Sequence, residues 1–336
     1  MESRKIQTSA SGSYFITLPK SWVQKSGLNH GDRVELSMDA NSLSIFPPNK
    51  SNIQSTEVSL NLEDYNEPLL FERQIVSCYI RGYDIININS KKIITQEWKR
   101  LIKNFIIHLT GTEISEEFSD RIAIRTLVDP SKFPIKELLK RICVIISSMH
   151  EDAIIALKDG NQELALDVIN RFSDADKLYR LLLRQLMLSI EDKAIAESIG
   201  IKDIKDCVVG AIAGRDLNKM AFYVRDMAIQ INYLKDEKID ESLLGALINL
   251  SNVAIEMQRE ATKSFFKNDF VRANKVIDRV DWVQEFDMDV TEKIMKKNMD
   301  TKIAIILTNI IRDIKRVATY AVGIAQTAQV KVAIRL

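Results

Sequence analysis

All six prolines of this 336-residue chain (Pro19, Pro47, Pro48, Pro68, Pro130 and Pro134) lie in its N-terminal part, and none follows Pro134. Proline removes a backbone donor and clashes with the preceding turn, so a long tract without it can run as uninterrupted helix. The tract after Pro134 is rich in Leu, Ile, Ala, Lys and Asp, which predicts a mainly helical region. The boundary is Asp129-Pro130-Ser131-Lys132-Phe133-Pro134.

The first segment ends at Phe46-Pro47-Pro48 and reads strand, strand, short helix, strand, strand. Lys5 to Thr8 and Tyr14 to Leu18 flank the turn Ala10-Ser11-Gly12-Ser13. Pro19 suits the first position of a helix over Lys20 to Ser26, and Gly27 stops it. After the turn His30-Gly31-Asp32, Val34 and Leu36 alternate with polar neighbours, as do Leu43 and Ile45 beyond a turn from Met38 to Ser42. Four short strands and two turns of helix cannot bury both faces alone, so this unit needs a partner subunit.

The middle segment, about Glu57 to Thr126, alternates strand and helix. Val58, Leu60 and Leu62 make one strand face; Pro68 to Ile80 is helical and stops at Gly82; Asp84 to Ile88 is a strand. Thr95 caps a helix reaching about His108, and strands Thr112 to Ser115 and Arg121 to Thr126 follow. The order β-α-β-α-β-β implies a small α/β domain with its own core.

The third segment repeats itself. Val168-Ile169-Asn170-Arg171 returns as Val276-Ile277-Asp278-Arg279, and at the same offset Met149 matches Met257, Ala153 matches Ala261, and Ala165 matches Ala273. Each unit reads as three antiparallel helices, the third over Asp206 to Leu234 and over Thr301 to Ala328. The stretch Ser189 to Ile204 lengthens a connection in the first unit only. The chain is thus multi-domain and mainly α, divided at 1–50, 55–130, 134–236 and 240–330, with a small N-terminal β unit, a central α/β domain and tandem three-helix bundles.

Composition excludes several classes. Cys78, Cys143 and Cys207 are widely spaced and odd in number, which predicts buried thiols in a reducing compartment. The start Met1-Glu2-Ser3-Arg4-Lys5 carries no apolar run of a signal peptide, and stretches such as Ile303 to Leu307 are too short to span a bilayer, so a cytoplasmic protein is expected. A net charge of +1 confines any DNA contact to a local basic face. His30, His108 and His150 are too scattered for a histidine metal site. The sequence holds no Gly-rich phosphate loop, nucleophile elbow or zinc-protease pair, so a binding protein without cofactor is expected, not an enzyme.

Gly12-Ser13-Tyr14-Phe15-Ile16-Thr17-Leu18-Pro19-Lys20-Ser21-Trp22-Val23, followed by Gly27-Leu28-Asn29-His30-Gly31-Asp32-Arg33-Val34, resembles the AbrB/MazE/SpoVT family of swapped-hairpin domains. The resemblance implies a barrel made by two chains exchanging hairpins and set against the major groove of double-stranded DNA. The rest resembles archaeal phosphate uptake regulators of the PhoU type. It does so through Tyr79-Ile80-Arg81-Gly82-Tyr83-Asp84-Ile85-Ile86, through Lys140-Arg141 leading into Met149-His150-Glu151-Asp152-Ala153, and through the duplicated Val-Ile-x-Arg helix. That family implies phosphate homeostasis, through transporter genes or through contact with phosphate transporter or sensor proteins.

For DNA the candidates are Arg4, Lys5, Lys20, Lys25 and Arg33, since cations meeting phosphates supply most of such affinity. Residues 1–50 carry six Lys or Arg against four acids, and dimerisation doubles the surplus. Relatives often place an arginine after the turn glycine and an arginine pair after the helix; this chain has Ser13 and Gln24-Lys25 there. A barrel serving only to dimerise is the alternative. For metal, PhoU bundles carry a Glu-x-x-x-Asp pair on the third helix of each unit. Here Phe222 precedes Asp226 in the first, and Lys315 and Thr319 fill both positions in the second. On the second helix Asp176 is kept and Gln284 replaces its counterpart. No metal cluster is expected, and Asp176 and Asp226 read as remnants, most simply as solvated helix carboxylates. Trp98 and Trp282 are expected to pack, and Trp22 to serve the core or dimer of the first unit. The charged run Lys235-Asp236-Glu237-Lys238 reads as a solvated helix end.

Overall fold

The computed structural model describes residues 3–39, 42–47, 56–234, 237, 239–297 and 299–333. The middle of the expected Met38 to Ser42 turn and most of Lys235 to Lys238 lie outside them. The chain divides into two compact units, Met1–Ser55 and Thr56–Leu336.

In the first unit, β1 (Gln7–Thr8) pairs antiparallel with β2 (Tyr14–Phe15). Both are shorter than the sequence predicts. Helix α1 (Lys20–Lys25) follows Pro19, and Gly27 ends it with φ +62°, a left-handed conformation that costs glycine little. β3 (Glu35–Asp39) and β4 (Ser42–Phe46) form a second antiparallel pair.

In the second unit, β5 (Glu57–Asn61), α2 (Pro68–Arg81), β6 (Ile85–Asn89), α3 (Gln96–Ile106), β7 (Thr112–Glu117) and β8 (Arg121–Thr126) appear in the predicted order. Thr95 caps α3 by accepting the Trp98 N–H. The sheet runs β5-β6-β8-β7, with β5 parallel to β6 and the other pairs antiparallel. Phe71, Ile75 and Tyr79 of α2 and Ile102 of α3 share one core with sheet residues Ile86, Ile88, Ile122 and Ile124. Trp98 joins it edge-on to Phe71 at 5.7 Å.

The helical region holds α4 (Ile135–Asp159), α5 (Gln162–Glu191), a short α6 (Lys193–Ser198) and α7 (Ile204–Leu234), then α8 (Glu241–Lys267), α9 (Phe270–Asp278), α10 (Val280–Lys296) and α11 (Thr301–Ala333). The repeat is written in the core: Met149 and Met257, Ala153 and Ala261, and Ala165 and Ala273 are all fully buried. Arg171 ties α5 to Asp152 of α4 at 2.6 Å, and its counterpart Arg279 reaches Glu256 of α8 at 2.8 Å. The two bundles share one continuous core, from Ile135 to Ala328.

Two expectations are corrected. The second helix of the second unit is broken at Arg279 into α9 and α10, although no Gly or Pro announces a break. Trp282 packs at the rim of the bundle and not in its core: it keeps 39% exposure, with its ring stacked on Phe286 at 4.8 Å. Cys78, Cys143 and Cys207 are free and buried.

Candidate functional site

The first unit contains no buried residue among those described. Tyr14 is 78% exposed and Met38 82%, and Ile6, Phe15, Ile16, Leu36 and Leu43 are exposed as well. Trp22 on α1 is half-buried. A strand pair with apolar residues on open faces has not removed them from water, and that burial is what stabilises a sheet. Arg4, Lys5, Lys20, Lys25 and Arg33 are all exposed. The antiparallel register puts Arg4 and Lys5 at the open end of the β1–β2 ribbon, the end from which the chain continues into Lys20. Lys25 lies at the other end of α1, and Arg33 just ahead of β3.

In the helical region, the expected acidic remnants lie on the facing sides of α5 and α7. Asp176 is ion-paired with Arg180 one turn along α5 at 2.6 Å, and accepts from Asn218 of α7 at 3.3 Å. Asp226 accepts two bonds from Arg225, at 3.1 and 2.7 Å. The Arg225 guanidinium lies over the rings of Phe172 and Phe222, 4.5 and 4.4 Å from their centroids. Phe222, at the position of the expected glutamate, meets Phe172 edge-on at 6.3 Å. In the second unit Lys315 is bonded to Asp287 of α10. Asp176 and Asp226 are therefore only partly solvated; their side chains keep 20% and 26% exposure and each has its own cation. Among the described residues, no three His, Cys, Asp or Glu side chains are grouped to hold a metal ion.

Further charges are buried nearby. Asp313 of α11 is fully buried; one oxygen accepts from Arg312 at 3.1 and 3.0 Å and the other has no partner. Burial pushes its carboxyl up to about 6, against the pull of Arg312 and with the help of Asp226. Asp216 of α7 faces Gly323 of α11 so closely that a Cβ there would lie 2.5 Å from its oxygen. Burial raises that carboxyl too. Between α4 and α8, His150 is fully buried with Nε2 2.9 Å from Ser251 Oγ, and desolvation lowers its pKa to about 4, so the ring is neutral. Arg184 of α5, 2% exposed, donates to the Tyr79 and Tyr83 carbonyls at 2.8 Å and to Asp84 at 2.9 Å, joining the α/β part to the bundle. The turn Gly82-Tyr83-Asp84 is thus a docking point for Arg184 inside the fold.

The paired cations have a sequence signal. The dipeptide Arg-Asp occurs three times, at 215–216, 225–226 and 312–313, always on α7 or α11. Each time the arginine Nε and Nη2 both close on one oxygen of the adjacent aspartate. Nothing in the sequence pattern pointed to Arg184, whose partners are backbone carbonyls roughly a hundred residues away.

A duplicated helical bundle with paired charges between its second and third helices defines the class of fold. A family model described as the PhoU domain matches residues 139–231 and 247–328, more than half of the chain, and the chain belongs to that family. A model described as antidote-toxin recognition MazE, bacterial antitoxin, matches residues 7–52. The phosphate-specific transport system accessory protein PhoU homolog 1 of Thermotoga maritima is 25% identical over 195 residues, 56% of this chain and 81% of that protein. The PhoU structures of Pseudomonas aeruginosa and Streptococcus pneumoniae share the fold, with TM-scores of 0.55 and 0.51 at 16% and 15% identity. Each match covers 60% of this chain, and 96% and 94% of those chains respectively. No helix among the described residues is long and apolar enough to cross a membrane.

Proposed function

We propose that the protein regulates phosphate uptake at the level of transcription: a homodimer that binds double-stranded DNA through its first unit and receives its signal through the PhoU bundle. The observation that carries this reading is the contrast in the first unit between exposed apolar strand faces and exposed cations. A second copy of the hairpins covers the apolar faces, and Arg4, Lys5, Lys20, Lys25 and Arg33, doubled by the dimer, meet phosphates. The MazE-type match over residues 7–52 supports dimerisation, and the PhoU match with its transport-accessory relative supports the phosphate role. The role is regulatory, not catalytic, and the protein acts in the cytoplasm.

The test is retardation of DNA from its own upstream region and from phosphate-transporter promoters across a salt series. Binding that weakens steeply with salt, and less steeply once Lys20 and Lys25 are replaced by Ala, supports the reading. No retardation at low salt sinks it and leaves the second reading, an adaptor whose first unit only dimerises and whose bundle docks on a phosphate transporter or sensor protein. The near-neutral total charge of +1 favours that second reading. Capture of such a partner by residues 56–336 alone, with no affinity for DNA, distinguishes it.

A further inference from the structure

We infer that cationic side chains of the chain itself take the place of bound metal ions on the inner face formed by α5, α7, α10 and α11. The inference concerns the bundle alone and stands apart from any DNA contact. A hard divalent cation needs several carboxylate or carbonyl oxygens with free lone pairs, converging from facing helices. This face has carboxylates, and each of Asp176, Asp226, Asp287 and Asp313 already holds a cation of the chain, although Asp313 keeps one oxygen without a partner. Asp176 holds Arg180 through one oxygen and Asn218 through the other. Asp226 holds the Nε and Nη2 of Arg225, and Asp287 holds Lys315.

The neutral and cationic residues close the remaining space. The Phe172 and Phe222 rings meet between α5 and α7, and the Arg225 guanidinium lies over both. A cation drawn to Asp226 would meet a carboxylate whose charge is already balanced, because two donors of Arg225 close on its Oδ1 while the guanidinium lies over two ring faces. Two buried atoms near Asp176 remain without partners, Arg180 Nη1 and Asn218 Oδ1. The first is a donor and repels a metal; one amide oxygen alone does not hold one. Asp313 has the other unpartnered oxygen, and its nearest acidic neighbour, Asp226, is already neutralised by Arg225.

The consequence is a face whose charge balance is covalently built in. An ion can be removed by chelation or exchanged for another; a guanidinium on the same helix cannot. The bundle then keeps its packing whatever the supply of divalent metal.

The full chain, dialysed against EDTA, is melted with and without millimolar Mg2+ or Mn2+, and its metal content is measured by plasma mass spectrometry. The expected result is a melting temperature unmoved by chelation or by either ion, with far less than one metal per chain. Arg225→Ala is expected to lower the melting temperature by a few degrees, and Arg225→Ala with Asp226→Asn to recover most of that loss. Both variants lack the ring contacts equally, so the recovery reports charge neutralisation alone. A native chain that loses stability on chelation and regains it with stoichiometric metal overturns the inference. So does a double variant no more stable than Arg225→Ala.

Discussion

The two units of this chain solve the burial problem in opposite ways. In residues 56–333 the core runs without a gap through both helical repeats, and the α/β part closes a second core of its own. In residues 3–47 every residue whose burial is described keeps some exposure, and large apolar side chains stand on open strand faces. The lesson is that one stretch of sequence carries all its own packing, while the other leaves apolar side chains open, as the proposed dimer requires. Stability of the first is then expected to be a property of one chain, and stability of the second, in the proposed dimer, to depend on concentration.

The contrast is sharpened most by Leu181→Ala, at a fully buried site of α5. Denaturant unfolding should show a loss of about 2–5 kcal/mol, the same at any protein concentration. A concentration-dependent loss would break the comparison. Next comes Arg184→Met, which takes the guanidinium away from the Tyr79 and Tyr83 carbonyls and from Asp84 Oδ1 and should cost about 2 kcal/mol. Hydrogen exchange should quicken at the end of α2 and in β6, with α11 unaffected. Asp313→Asn is expected to stabilise by about 1 kcal/mol at neutral pH, because Arg312 loses a charged partner while the burial cost disappears. The sign follows from a carboxyl raised from 3.8 to about 6: its proton stabilises the fold below 3.8, and that stability is lost as pH rises through 6. The advantage of the variant should therefore vanish on acidification, as melting at several pH values would show. His150 runs the other way, lowered from 6.5 to about 4, so the native chain loses stability as pH falls across that window.

The smallest effect on a single chain belongs to Leu36→Ser in the first unit, within about 0.5 kcal/mol because the side chain is already exposed. Its cost should appear only in the dimer, as a raised dissociation constant in sedimentation. If Leu36→Ser destabilises a demonstrated monomer as much as Leu181→Ala does, the two units are not different in kind.

Much of the fold was legible because periodicity and breakers are local signals. Prolines and glycines placed α1, α2 and the start of the helical region, and the repeated Val-Ile-x-Arg marked residues that proved to be core and clasp: Val168 and Val276 buried, Arg171 and Arg279 reaching back to the first helix. The order of elements along the α/β part was equally readable from alternation, whereas the arrangement of its strands in the sheet, β5-β6-β8-β7, was not. The break at Arg279 was not, since no residue there forbids helix and the break shows only in the folded backbone. The state of Asp176 and Asp226 was hidden for a related reason. A carboxylate on a helix reads as solvated until the facing helix and the neighbouring arginine are in place. The five cations of the first unit were legible as residues, and their exposure agrees with the role proposed for them.

Arg184 has one more implication. Its guanidinium closes on three oxygens from one short stretch, and Gly82 beside it sits so near Leu188 of α5 that an added Cβ would lie 2.8 Å away. Those three bonds tie the turn between the helix α2 and the strand β6 to α5. Asp84 leads directly into β6, so α5 is bonded to the strand that carries Asn87, which lines one polar surface with Arg121 and Arg125.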